Sequence, residues 1–380
     1  MPRPIPKDSP QVSGSLAQAF RLSRHHLAKR ASRRDVVRVV RDVVGVQAQL
    51  MSAAQLSLRA RIEDLTSEDT DSLLWERRVL VKAWCMRGAL HLFAAEDLPV
   101  VVAGVGPNSQ WGAETWLARS GLPRDEAGRI LGVIVDVLKS GPLTRRELAA
   151  AVAQRVGMSA RRWVEHSWGG VVKLACYRGL VCFGPGKGAN TTYVLRDRWL
   201  SGWKDIAPEA AGPELVRRYL RMAGPASPSD LAAWAGIPVR EVRAMWERAS
   251  RSLTEVVLDG RVAWLLREDL DALRQMKLAS PTVNLLPAFD TYLLLHKDKS
   301  HIVDAAHYKR VYRKAGWLSP VVLVDGRATG VWSSRKAGKR LEVRIEPFAS
   351  MPREVRRAVV AEADDIARFV GAQDARVAFT

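Results

Sequence analysis

The chain is short of several features that define protein classes. Its 380 residues include three cysteines, Cys85, Cys176 and Cys182. They are widely spaced and form no Cys-x-x-Cys pair, which excludes a disulfide scaffold and a zinc site of ordinary spacing. No run approaches the roughly 18 apolar residues of a membrane span, and the start MPRPIPKDSPQVSGS lacks the apolar stretch of a secretory signal. These absences predict a reduced, cytoplasmic protein. Common catalytic signatures are missing too: there is no His-Glu-x-x-His, P-loop, Gly-x-Ser-x-Gly, dinucleotide fingerprint or zinc-deaminase pair. Acidic residues are in deficit, with 40 Asp and Glu against 59 Lys and Arg.

What is present is a chain of ordinary globular composition, 47% hydrophobic, long enough for two or three domains. Its formal charge of +19 favours a polyanionic partner, because neutralising phosphates is the sequence-independent part of nucleic-acid affinity. GC-rich codon usage accounts for Arg over Lys but not for the net sign.

Local patterns predict an α+β protein, mainly helical, with three tandem winged-helix motifs, then a small β-rich, barrel-like module and a C-terminal helix. A flexible N-terminus covers 1–15. The first winged helix, over 16–120, opens with one strongly basic helix through LAQAFRLSRHHLAKRASRRDVVRVVRDVVG. A second helix runs through AAQLSLRARI, a third is capped at Thr66 or Ser67, and VLVKAWCMRGALHLF reads as a strand or hairpin. The second copy, over 121–205, carries a capping box at Thr144 and Glu147 and a Gly-rich wing, LVCFGPGKGANTTYVL. The third, over 206–279, ends in a hairpin turning at Asp259-Gly260. Residues 280–380 contain short strands turning at Asp325-Gly326 and Ala337-Gly338, then an amphipathic helix from near Pro352.

Winged helices serve DNA binding and protein scaffolding alike, and the charge favours DNA. The run Arg21, Arg24, Lys29, Arg30, Arg33, Arg34, Arg38 and Arg41 is interleaved only by Asp35 and Asp42, so it calls for a compensating anion, and DNA fits that need. Arg335, Lys336, Lys339 and Arg340 crowd one hairpin tip, where a basic β-ribbon can probe a groove. Another feature fits no binding motif. Gln47 and Gln49 flank Ala48 just after Gly45; alternate residues share a side when the chain is extended but lie about 200° apart on a helix, so an extended stretch lets both amides face one spot.

Gln47-Ala48-Gln49, Trp84–Leu92 (WCMRGALHL), Asn284–Ser300 (NLLPAFDTYLLLHKDKS) and Val322–Trp332 (VLVDGRATGVW) together resemble the AlkZ-type DNA glycosylases of a winged-helix superfamily. The resemblance spans about Ser15 to Val370. Ala89 replaces a usual Thr and Lys299 a usual Arg, the latter keeping charge but losing a bidentate contact. The resemblance implies a monofunctional glycosylase that hydrolyses the N-glycosidic bond of N7-alkylated guanine, bulky or crosslinked, in duplex DNA, in alkylation repair or genotoxin self-resistance. It makes Gln47 and Gln49 the catalytic candidates, Gln49 positioning water. Arg87 and His91 become candidates for phosphate contact or support of the glutamines, beside Arg33, Arg34 and the hairpin cations. Asp290 reads as a fold-stabilising carboxylate before a catalytic one. The partner is double-stranded DNA, the protein acts as a monomer in the cytosol or nucleoid, and no metal or cofactor is required. The competing readings are a non-enzymatic winged-helix DNA-binding protein, whether transcription regulator or drug-sequestering protein, and an interaction scaffold.

Overall fold

The computed structural model describes residues 9–109, 114–166, 169–279 and 281–380. The chain packs as two compact units, each assembled from separated stretches. The first is built from Met1–Thr70, Arg217–Leu231 and Ala249–Thr380, the second from Asp71–Val216 and Ala232–Arg248. These divisions cut across the tandem copies: the helices Gly14–Arg24, Val36–Asp42 and Met51–Arg59 of the first winged helix lie in one unit and its hairpin, Leu80–Trp84 with Leu90–Ala94, in the other. Among the described residues no helix is long and apolar enough to cross a membrane.

The second copy lies wholly within the second unit. Its helices are Arg124–Val137, Arg145–Val156 and Gly170–Tyr177, with short Arg161–Glu165 between the last two, and its wing pairs Val181–Lys187 with Asn190–Leu195. A short strand, Leu143–Thr144, adds to the wing opposite Tyr193 and Thr192. Thr144 forms the expected capping box: its hydroxyl accepts from the Glu147 amide, and the Glu147 carboxylate accepts from the Thr144 amide at 2.8 Å. The third copy follows as Pro208–Ala223, Pro228–Ala235, Val239–Ala249 and the hairpin Leu253–Leu258 with Arg261–Leu266. Its turn residues Asp259 and Gly260 both have positive φ, 47° and 78°, as a tight two-residue hairpin turn requires.

Three expectations change. The long basic helix is two helices, Gly14–Arg24 and Val36–Asp42. Between them His26 takes a φ of 55°, and Ala31 is drawn into a bridge with Ile62, its amide donating to the Arg61 carbonyl at 2.8 Å. Of the N-terminus expected to be flexible, residues 1–8 lie outside the described residues, while Gln11–Val12 pairs parallel with Val257–Leu258. The C-terminal module is an open five-stranded sheet rather than a barrel. Its order is Val283–Leu286, Val321–Val324, Arg327–Ala337, Arg340–Pro347 and Asp374–Phe379. The last strand, which follows the helix Arg353–Phe369, pairs parallel with Arg340–Ile345, as a helical crossover permits, and leaves the sheet two edges. Leu285, Val322, Leu341, Val343 and Ile345 bury one sheet face against Val355, Val359 and Ile366 of that helix.

Candidate active site

The helix Val36–Asp42 stops because the next residues leave helical space: Val44 has φ 50° and Gly45 φ 92°. A β-branched residue in the left-handed region is strained, and burial of Val44 in the core holds it there. The chain leaves extended through Val46–Gln47. Ala48 is fully buried, and its neighbours differ: Gln47 is 8% exposed, whereas Gln49 faces solvent. The helix Met51–Arg59 begins two residues later, with no side chain capping its N-terminus.

The segment after Asn284 grips this loop from within the same unit. Thr291 donates its hydroxyl to the Gly45 carbonyl at 3.2 Å, two residues before Gln47. Asp290 and Arg61, both fully buried, form a bidentate pair at 2.7 and 2.8 Å. Ser57 donates to the same carboxylate at 2.6 Å and the Tyr292 amide at 2.9 Å. Burial would raise the Asp290 carboxyl, but Arg61 and these donors outweigh it and hold it below the usual carboxylate range. A carboxylate so fully engaged is a structural clamp on the helix that follows Gln49, not a free base.

Several cations of the basic run after Arg21 meet partners within the protein. Arg21 is buried and donates to the Ala223 and Pro225 carbonyls, the latter at 2.6 Å. Arg24 pairs with Asp269, Arg30 with Glu362 and Asp365, and Arg38 with Asp35 and Asp42. The acids facing Arg24 and Arg30 come from distant sequence, whereas those facing Arg38 are its neighbours. Arg33 reaches Asp69 at 2.6 Å yet stays half exposed, and Arg34 is exposed.

The basic hairpin is exposed from Ser333 to Arg340 and turns at Gly338-Lys339, one residue later than expected, with Gly338 at φ 61°. Arg335 pairs with Glu342 at 2.8 Å and Arg340 with Asp374 at 2.7 Å. Lys336 donates to the Val370 and Gly371 carbonyls. Lys339 stands at the tip, and its own carbonyl accepts the Gln373 amide.

Arg87 and His91 lie in the second unit, on the hairpin Leu80–Ala94. Arg87, at φ 56°, donates to the Trp234 carbonyl, and burial lowers its pKa to about 10. His91 is 2% exposed and its ring stacks with Phe93 at 5.6 Å. Burial first, then Arg87, lowers its pKa to about 3, so it is neutral at physiological pH. His91 is thus a buried neutral ring of this hairpin, while Arg87 is only partly buried.

One feature escaped the sequence reading. Tyr308–Trp317 carries Lys309, Arg310, Arg313 and Lys314 among three aromatic residues and no acid. Tyr308 and Trp317 are 43% and 45% exposed. Basic residues interleaved with aromatics were the available signal.

A family model described as "DNA glycosylase AlkZ-like" matches residues 40–369. An interstrand DNA cross-link repair glycosylase of Streptomyces sahachiroi is 31% identical over 364 residues, covering 93% of this chain and 95% of that protein. The solved structure of the Streptomyces sahachiroi DNA glycosylase AlkZ superposes with a TM-score of 0.88 at 28% identity, covering 97% of this chain and all of that one.

Proposed function

The chain belongs to the AlkZ-like DNA glycosylase family, and from that premise we propose that it hydrolyses the N-glycosidic bond of N7-alkylated guanine in duplex DNA, using water placed by Gln49. The observation that carries this reading is the glutamine loop itself: an exposed and a nearly buried amide on either side of a fully buried alanine, with strained backbone behind and Thr291 tying it down.

The chemistry asks for no more than amides. N7-alkylguanine is cationic and departs neutral, so protonation of the leaving group is unnecessary. Bond breaking leaves an oxocarbenium-like sugar, as in glycoside hydrolysis. Stabilising it requires negative potential near C1′ and a water held in line. A glutamine carbonyl supplies partial negative charge and accepts a hydrogen bond from that water, in the way Gln orients water in GTPases. Gln49 takes this role, and Gln47 shares the water or the sugar contact. A fixed dipole works best when it is preorganised, and the Gly45–Thr291 contact and the Arg61–Asp290 clamp serve that end. Lys339 and the exposed parts of Arg335 and Arg340 supply the phosphate attraction, together with Arg33 and Arg34.

The curated relative is named for interstrand cross-link repair, and the same bulky and crosslinked lesion class is proposed here. Duplexes carrying single N7-methyl, bulky N7 or crosslinked guanines test this directly. Alkali-labile abasic sites should appear at the modified guanine and nowhere in unmodified DNA. Absence of cleavage at every N7 adduct would refute the substrate assignment.

A further inference from the structure

Beside the helix that follows Gln49 lies a cavity of about 640 Å³. Ser52, Ala53 and Ala288 line it on one side and Ser333 and Ser334 on another, and these small side chains leave the space open. Trp317 lines it as well, 45% exposed. Three residues span at most about 10 Å, so Ser52 brings this cavity within that distance of the Gln49 backbone.

The tryptophan is preset. Arg313 donates its amide to the Trp317 carbonyl at 2.8 Å, and a bridge joins Tyr312 to Leu318. Between them Ala315 and Gly316 turn the chain at positive φ, 56° and 73°. Phe289 meets the indole edge to face at 5.1 Å. A large aromatic ring held half in water beside Lys309, Arg310 and Arg313 is the arrangement that binds planar groups attached to a phosphate chain. The volume falls in the roughly 300–1,000 Å³ range of pockets for drug-sized ligands, far more than a methyl group needs.

We infer that this cavity receives the planar aromatic part of a bulky N7 substituent, stacked on Trp317, and so sets a preference for large adducts over methylation. The inference rests on the proposed action at N7-alkylguanine and names which members of that class are favoured. Trp317 is a specificity residue; it touches the substituent, not the reacting bond.

Binding tests it without requiring turnover. Full-length protein carrying Gln49→Ala is titrated with two duplexes of one sequence, one bearing N7-methylguanine and the other N7-guanine with a large planar aromatic substituent, both on 2′-fluoro sugars that slow loss of the base. The bulky duplex should bind about tenfold more tightly, the worth of one good stacking contact. Adding Trp317→Ala should bring the ratio within about twofold of unity, with Trp317→Phe retaining part of the preference. Ser334→Phe, at an exposed strand position, should abolish the preference by filling the space rather than removing a contact. A ratio unchanged in both Trp317→Ala and Ser334→Phe, or equal weakening of both duplexes, would overturn the assignment; the latter would point to the guanine itself or to general DNA contact. Failure of the wild type to cleave any N7 adduct would sink the proposed reaction while leaving this ratio to be judged by itself.

Discussion

Asp290→Asn is the sharpest test of what holds the glutamine loop. The substitution keeps shape and volume but leaves the fully buried Arg61 guanidinium without its counterion. Removing one partner of a buried pair costs about 3–5 kcal/mol, since the stranded charge retains its desolvation penalty. In a unit of roughly 200 residues each kcal/mol moves the midpoint by about 2–4 °C, so thermal unfolding should begin about 6–20 °C lower. Shape and charge are separable: Arg61→Met combined with Asp290→Leu should recover most of the loss, because an apolar pair of similar volume needs no counterion. The pH dependence follows from the sign of the shift. Asp290 is held below its ordinary value, so its contribution is present above roughly pH 4 and is lost as pH falls through the lower folded value. The gap between wild type and Asp290→Asn, measured by calorimetry, should therefore be widest near neutrality and close in strong acid. An Asn variant melting within about 2 °C of wild type at pH 7, or a gap equally wide at pH 7 and in strong acid, would refute the argument.

Two further expectations concern function more directly. Thr291→Val removes the hydrogen bond to the Gly45 carbonyl, worth about 1 kcal/mol, and should lower the single-turnover rate about fivefold while leaving DNA affinity unchanged; Thr291→Ser should restore it, whereas a purely structural role would move stability but not this rate. At the hairpin, Lys339→Gln should reduce the slope of log affinity against log salt by about 1, as expected for one lost phosphate contact, and Arg340→Gln by less because Arg340 is already paired with Asp374; equal slopes in all three proteins would place DNA elsewhere.

Features written in neighbouring residues were legible in the sequence. The Thr144–Glu147 box, the Asp-Gly turns at 259 and 325, and the departure from helix at Gly45 each depend on a few adjacent residues and were found where expected. Part of the basic run has counterions that lie far along the chain: Arg30 meets Glu362 and Asp365, more than 330 residues away, and no local pattern announces that. The single long helix failed for a related reason, since a bridge to Ile62 claims the backbone of Ala31. The last strand, Asp374–Phe379, alternates between exposed and half-buried positions with none fully buried, and it pairs parallel with Arg340–Ile345 after the helix before it. At the site, the Gln-x-Gln spacing was visible, but that Thr291 and Asp290 brace it depends on packing between stretches more than 200 residues apart.

The central claim is that an uncharged amide, Gln49, places the water that completes glycosidic hydrolysis. Single-turnover release of N7-alkylguanine from a defined duplex by Gln49→Ala tests it most directly. Loss of one preorganised polar group at the reacting centre predicts a rate lower by about 10²–10³-fold, with DNA affinity within about threefold of wild type. A Gln49→Ala protein that releases the base at the wild-type rate would contradict the account.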